Sequence, residues 1–321
     1  MNIIVTGGMG LIGHNIVSKL ENDHRITIID NHTNYGFIPN KQIDSLINLR
    51  RKKISKYKNH IADIVNEHAL DIIFSANSPE LVIHCASYPR QKAVEANPIM
   101  AAKSMCVGLT TLLEACIKFN VKRFVYISSS MVYGDFENDV TEESVCSPIG
   151  QYGIFKLMGE KLVQDYSRRT GMEHVIIRPS AVYGELDVED RVVSKFVLGA
   201  IRGDTLKVNG PDEVLDFTYV DDAAEGIVQA ALSPNTTNQI YNITRSADRL
   251  WTLKDAAELA IQLAGKGELI VGPRDLSFPK RGRLSIDKAI QDFNYSPKTN
   301  VEEGFKKYYE WLRNSDIFHA K

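Results

Sequence analysis

The chain has 321 residues and a mass of 36.0 kDa, with 44% hydrophobic and 24% charged residues, an ordinary globular usage that excludes disordered and fibrous classes. At about 150 residues per domain the length suggests roughly two domains. Lys and Arg total 38 against 40 for Asp and Glu, a formal net charge of −2, so no basic excess marks a nucleic-acid binder.

In chain order, Asn2-Ile3-Ile4-Val5 opens directly as a strand, without the charged and apolar regions of a signal peptide. No apolar run reads as the ~18 residues of a membrane span. The expectation is therefore a protein of the reducing cytoplasm, with no membrane partner. Cys85, Cys106, Cys116 and Cys146 form no CxxC pair, so neither a metal site nor a disulfide framework is read. Cys85 and Cys106 sit in apolar stretches and read as buried small hydrophobes.

Runs rich in β-branched residues at 3–5, 25–29, 81–84, 123–128 and 174–177 read as strands. Segments 12–21, 99–119 and 152–170 carry a helical period. This alternation predicts an α/β fold, a doubly wound parallel sheet of Rossmann type. Residues 34–59 are less regular and contain Arg50-Arg51-Lys52-Lys53, then Lys56 and Lys58. They read as a solvated helix face, with a substrate-phosphate or partner contact as the alternative. Beyond Pro179, 185–210 reads as loop, helix and short strand, and 216–232 as strand then helix. Segment 251–264 reads as a helix capped by Thr252, and 301–313 as an amphipathic helix. Residues 1–180, with 216–245 returning to them, are assigned to a nucleotide-binding domain. Residues 181–215 and 246–321 are assigned to a smaller C-terminal α/β substrate lobe.

Thr6-Gly7-Gly8-Met9-Gly10-Leu11-Ile12-Gly13 follows the first strand and opens the first helix. Gly7 permits a tight turn, Gly10 lets backbone approach a pyrophosphate, and Gly13 allows close helix–strand packing. Leu11 and Ile12 begin a helix whose free N–H groups favour an anion. Asp30, with Asn31 beside it, ends the second strand 17 residues after Gly13. A carboxylate there accepts hydrogen bonds from a ribose diol and repels a 2′-phosphate, which favours NAD over NADP. Asp63, followed by Ile64, suits an adenine amino group. The small-residue turn Cys85-Ala86-Ser87 and Pro179 complete the candidate cofactor contacts. His84 reads as a packed structural histidine.

Tyr152 and Lys156 stand at i and i+4, on one helix face. The spacing alone is weak, because Tyr88 and Lys92 repeat it. That second copy contains Pro89, against helical geometry. Tyr152 instead starts a long helix, 23 residues after Ser129 within Ser128-Ser129-Ser130. A serine at that strand end reaches the mouth of the sheet, where ligands bind. Tyrosine titrates near 10 and is a poor base at neutral pH. A lysine ammonium at ~5 Å, at an effective dielectric of ~20, supplies ~3 kcal/mol toward its ionised form. Tyr152 then takes a hydroxyl proton as a hydride leaves carbon for NAD, while a serine hydroxyl holds the reacting oxygen.

Together with Ile127–Gly134, 177–184 and 216–222, these residues resemble the extended short-chain dehydrogenase/reductase family over nearly the whole chain. Within it the chain is most similar to NAD-dependent nucleotide-sugar epimerases and dehydratases. The resemblance implies Ser129, Tyr152 and Lys156 as catalytic residues, with Ser128 and Ser130 as alternative hydroxyls. It implies that Ser130 and Met131 stand where dehydratases carry an acidic pair, which argues against 4,6-dehydration. It implies reversible oxidation at one carbinol carbon, most simply C4 epimerisation of a nucleotide sugar through a keto-sugar. A dehydrogenase or reductase that releases its keto product, and a non-catalytic NAD-binding scaffold, are the alternatives.

Three positions depart from the family pattern. Leu215 replaces a diphosphate-binding Arg, Ala181 an Asn, and Met105 an Asn. Arg281 and Arg283, then Arg191 and Lys207, are the candidate replacement cations, with Ser130 as a further substrate contact. A homodimer is implied through helices at 99–118 and 152–170. Leu109, Leu112, Leu113 and Cys116 supply apolar faces there that equally suit an internal core.

Overall fold

The computed structural model describes residues 1–20, 24–36, 38–188 and 190–317. The first half alternates strand and helix: β1 (Asn2–Thr6), α1 (Leu11–Lys19), β2 (Arg25–Asp30), α2 (Asn40–Lys53), β3 (Lys58–Ile61), α3 (Glu67–Asn77) and β4 (Leu81–His84). Residue 21, at the end of the first expected helix, lies outside the described residues. Two short helices, α4 (Gln91–Ala96) and α5 (Pro98–Ala102), lead through a π-helical turn, Lys103–Gly108, into α6 (Leu109–Lys118). β5 (Arg123–Ile127), α7 (Gln151–Thr170) and β6 (Glu173–Pro179) follow. The remainder comprises β7 (Val182–Tyr183), α8 (Val192–Arg202), β8 (Thr205–Asn209), β9 (Thr218–Tyr219), α9 (Val220–Leu232), β10 (Gln239–Ile243), α10 (Leu253–Ala264), β11 (Glu268–Gly272), α11 (Asp287–Phe293) and α12 (Val301–Arg313).

Seven strands form one parallel sheet in the order β10-β6-β5-β4-β1-β2-β3. The order reverses direction at β1, between β2 and β4, which is where doubly wound sheets open a crevice at their carboxyl ends. Both sheet faces are covered, so β1 and β4 read as near-continuous apolar runs. On one face α1, α9 and α11 bury Ile16, Val17, Ile227 and Ala289. On the other, α3, α6 and α7 bury Phe74, Leu109, Leu112, Leu113, Cys116 and Val163. The apolar faces offered as interface candidates are thus internal core.

The continuous helical run 98–118 has the length and apolar composition to cross a membrane. This corrects the expectation that no segment qualifies. Its buried face packs in the core just described.

A second core joins α8, α10 and α12 through Val197, Ala256, Phe305 and Tyr308. β8 pairs with β11, and β7 with β9. The Thr252 cap is present as a full capping box with Asp255, which satisfies orphan donors reciprocally. Strand β11 was not among the expected elements. Ile286, Ala289 and Tyr295, from the stretch assigned to the smaller lobe, pack on the main sheet. In the basic run, Arg51, Lys52 and Lys53 are exposed, but Arg50 is only 5% exposed. Leu46, Ile47 and Arg50 share one face of α2 and turn inward.

Candidate active site

The carboxyl ends of the main strands open into a cavity of about 350 Å³. The glycine loop forms one wall. Gly7 has φ +68°, and a Cβ there would meet Ala86 N at 2.5 Å. A Cβ on Gly13 would meet Gly7 O at 2.2 Å. Both positions therefore exclude larger residues. At Gly10 the nearest atom to a Cβ is Gly7 O, at 3.1 Å. This cradle, with the α1 N-terminus behind it, fits a dinucleotide pyrophosphate.

Asp30 is held from two sides. Its carboxylate accepts from Met9 N and from His32 N, each at 2.8 Å. Asn31 Nδ2 donates to Asp63 at 3.0 Å, and Val65 N donates to the other Asp63 oxygen at 3.0 Å. Ile64, Cys85, Ala86, Ser87 and Pro179 stand in the same wall. Burial pushes the Cys85 thiol up to about 12, so it is no nucleophile. His84 lies below the site, 2.7 Å from Thr6 Oγ1. Burial pushes it down to about 3, as befits a packed neutral ring.

Ser129 ends the β5 connection as the cap of a 3-10 turn, and Met131 N donates to its hydroxyl at 3.2 Å. Tyr152, in the first turn of α7, stands in the same cavity wall as Ser129 and is acted on by its hydroxyl. Lys156 is 4% exposed and donates to Ile127 O at 2.7 Å. Its Nζ lies 5.9 Å from the Tyr152 ring centre. Burial pushes Lys156 down to about 8. Burial raises Tyr152, opposed by Arg191 and the Ser129 hydroxyl.

Of the candidate substrate contacts, Arg191 lines the cavity. Ser130, Lys207, Arg281 and Arg283 are not in its wall. Ser130 is buried in the 3-10 turn. Lys207 is exposed on β8, whose side chains alternate outward and inward. Arg283 pairs with Asp139 and donates to Ala247 O at 3.3 Å. Arg281 is acted on by Glu213 and Arg274. Leu215 is packed into the second core. Several cavity residues were not singled out from the sequence: Arg90, Lys103, Tyr35 and Asp187; Arg50, also in the wall, was named only within a basic run read as a solvated face, with a phosphate or partner contact as the alternative. Arg90 pairs with Asp190, and Tyr35 OH donates to Ser87 O at 3.0 Å. For Arg50 a signal existed, since its spacing from Leu46 and Ile47 places it on the apolar stripe.

The model of the NAD dependent epimerase/dehydratase family matches residues 3–244. A putative UDP-glucose 4-epimerase of Methanocaldococcus jannaschii is 30% identical, the alignment covering 98% of this chain and 99% of the relative. The structure of a UDP-glucose 4-epimerase from Thermotoga maritima, solved with UDP-glucose, superposes with a TM-score of 0.87 at 28% identity, covering 98% and 99%. A UDP-glucuronic acid 4-epimerase from Bacillus cereus, in complex with UDP-glucuronic acid and NAD, superposes with a TM-score of 0.88 at 25% identity, covering 98% and 99%. The chain belongs to the NAD dependent epimerase/dehydratase family, within the extended short-chain dehydrogenase/reductase class, and is an NAD-dependent enzyme.

Proposed function

We propose that the protein is a nucleotide-sugar 4-epimerase in which Tyr152 moves the proton of the reacting hydroxyl. The observation that carries this reading is that Ser129, Tyr152 and Lys156 line one cavity with the glycine loop and Asp30, Lys156 Nζ lying 5.9 Å from the Tyr152 ring centre. Ser129 holds the carbinol oxygen, and Tyr152 accepts its proton and later returns it. Buried Lys156, anchored on Ile127 O, keeps a positive charge at the site below about pH 8. NAD, when bound, takes up and returns the hydride, and its charged ring favours the tyrosinate. Buried Ser130 and Met131 offer no carboxylic acid for dehydration. Relatives named as 4-epimerases support the choice of carbon. Exposed Ile99, Val107 and Ile154 on 98–118 and α7 support a homodimer through those helices.

A second reading is favoured by one observation. Leu215 is core, while Lys207, Arg281 and Arg283 stand outside the cavity wall. A carbinol substrate without a diphosphate, oxidised and released, fits the loss of a cation at position 215; a diphosphate would instead have to draw on Arg90, Lys103 and Arg191, which do line the cavity. The test is incubation of the purified protein with NAD⁺ and a panel of UDP-, GDP-, CDP- and dTDP-sugars. NADH absorbance and NMR of the sugar are followed together. Inverted configuration without net NADH, abolished in Tyr152→Phe, is the expected result. Stoichiometric NADH with a keto product overturns epimerisation in favour of the second reading. Undiminished turnover in Tyr152→Phe removes Tyr152 from the chemistry.

A further inference from the structure

Arg50 is a buried cation that the chemistry above does not use. It comes from α2, in the excursion between β2 and β3, and crosses to two other segments. Its Nη1 donates to Met9 O at 2.7 Å, within the glycine loop. Its Nε donates to Leu186 O at 3.2 Å, and Nη2 donates to the same carbonyl. The guanidinium fork suits such a bridge, since its donors are fixed in one plane.

The carbonyl it grips belongs to a residue under conformational strain. Leu186 has φ +64°, a left-handed conformation that a branched side chain adopts at a cost. Such a geometry persists when its surroundings over-determine it. Directly after Leu186 come Asp187, 1% exposed, and Arg191, whose Nε lies 3.6 Å from Asp187 Oδ1. Asp187 Oδ1 also accepts from Val188 N at 2.8 Å. Arg191 and Tyr152 line the same cavity.

We propose that Arg50 is a positioning residue that, by holding Met9 O and Leu186 O together, sets Leu186 and Asp187 and, through the Asp187–Arg191 pair, the placement of Arg191 relative to Tyr152. The glycine loop and the substrate-side loop are thereby fixed to each other through one side chain. The inference rests on reading Tyr152 as the proton-transfer group. Other charged or titratable groups around Tyr152 are Lys156 on its own helix, Tyr126 from β5, Cys85 from the β4 turn, and the Arg90–Asp190 pair. Arg50 reaches Tyr152 through Asp187 and Arg191, the charged groups it acts with.

The experiment titrates Tyr152 without any substrate. Near-ultraviolet tyrosinate absorbance of the full chain loaded with NAD⁺ is recorded against pH, and the Tyr152→Phe curve is subtracted. Arg191→Gln should raise the midpoint, because a nearby positive charge is lost, by roughly half a unit or more. Arg50→Gln should raise it comparably. The double variant should move no further than Arg191→Gln alone, the signature of action through one group. Arg50→Lys keeps the charge and guards against loss of fold, but a single ammonium cannot reproduce the fork; it should follow Arg50→Gln. A parent-like midpoint in both Arg50 variants, additive shifts, or an unmoved midpoint in Arg191→Gln each overturns the proposal. If subtraction of Tyr152→Phe reveals no titration step, the functional reading of Tyr152 fails and takes the coupling with it. A clear step unmoved by Arg50 variants overturns the coupling alone.

Discussion

The buried pair beneath the site supplies the sharpest stability test. Glu160 is 1% and Arg178 3% exposed. Glu160 Oε1 accepts from Arg178 Nε at 2.9 Å and from Ser128 Oγ at 2.5 Å, and Oε2 accepts from Arg178 Nη2 at 2.7 Å. Arg178 Nη1 donates to Tyr133 OH at 2.9 Å and Glu142 O at 3.1 Å. Against the cost of burial, the Glu160 hydrogen bonds hold Arg178 above the ordinary arginine range. Glu160→Gln keeps the shape but leaves the guanidinium uncompensated in the interior, which costs about 3–5 kcal/mol. At ~2 cal/mol/K per residue over 321 residues, the unfolding entropy is ~0.7 kcal/mol/K. The melting temperature should therefore fall by about 4–8 °C. Urea denaturation followed by tryptophan fluorescence and circular dichroism measures the free energy, with coincident transitions required for a two-state treatment. Arg178→Met should cost similarly, and Glu160→Leu combined with Arg178→Met should cost less than the sum, since no buried charge remains. A Glu160→Gln loss below about 1 kcal/mol, or strict additivity in the pair, would refute this account of the network.

Two further outcomes follow from burial. Leu215→Arg, which restores the residue of the family pattern, should destabilise by roughly 2–5 kcal/mol. Leu215 is 6% exposed in the second core, and the neighbouring Asp216 carboxylate is taken by Ser246 N and Leu284 N; unchanged urea stability would show that the position faces a polar cavity. His14 and His84 are both pushed down to about 3, by burial first. The unfolded chain then binds protons that the native state refuses, so stability is lost as pH falls below ~6.5, by up to ~1.4 kcal/mol per unit and histidine. Buried Asp187, Asp216 and Glu142 are raised by burial and act with the opposite sign in the carboxylate range. The clean measurement is therefore the difference between the parent and His84→Gln in urea melts from pH 7 to 5, where an unchanged slope would contradict a neutral buried His84.

Local pattern was enough for the sheet and the cofactor wall. Apolar runs on both sides of short turns specified parallel strands, because a sheet covered on both faces needs no polar alternation. Gly7, Gly13 and Asp30 were legible because their roles are local: a tight turn, a close packing and a strand end within one βαβ unit. Tyr152 and Lys156 stood out because their helix start follows a strand end at the mouth of the sheet, whereas the choice of Ser129 over Ser128 and Ser130 rested on the family resemblance.

The cations were not legible in the same way. Arg50 belongs to a run whose next three residues are solvated, and only burial of one face of α2 separates it from them. Arg281, Arg283 and Lys207 have the right charge for a diphosphate, yet β8 and the 279–284 segment carry them away from the cavity. Strand β11 has an apolar run as short as many loop segments, and its pairing with β8 spans some sixty residues of sequence. Neighbours within a few residues dictate the backbone scaffold and the groups fixed to its turns, so both could be read from local pattern. Tertiary packing alone decided which charged side chains face the cavity and what acts on Tyr152, because long side chains reach across segments and their partners come from distant parts of the chain.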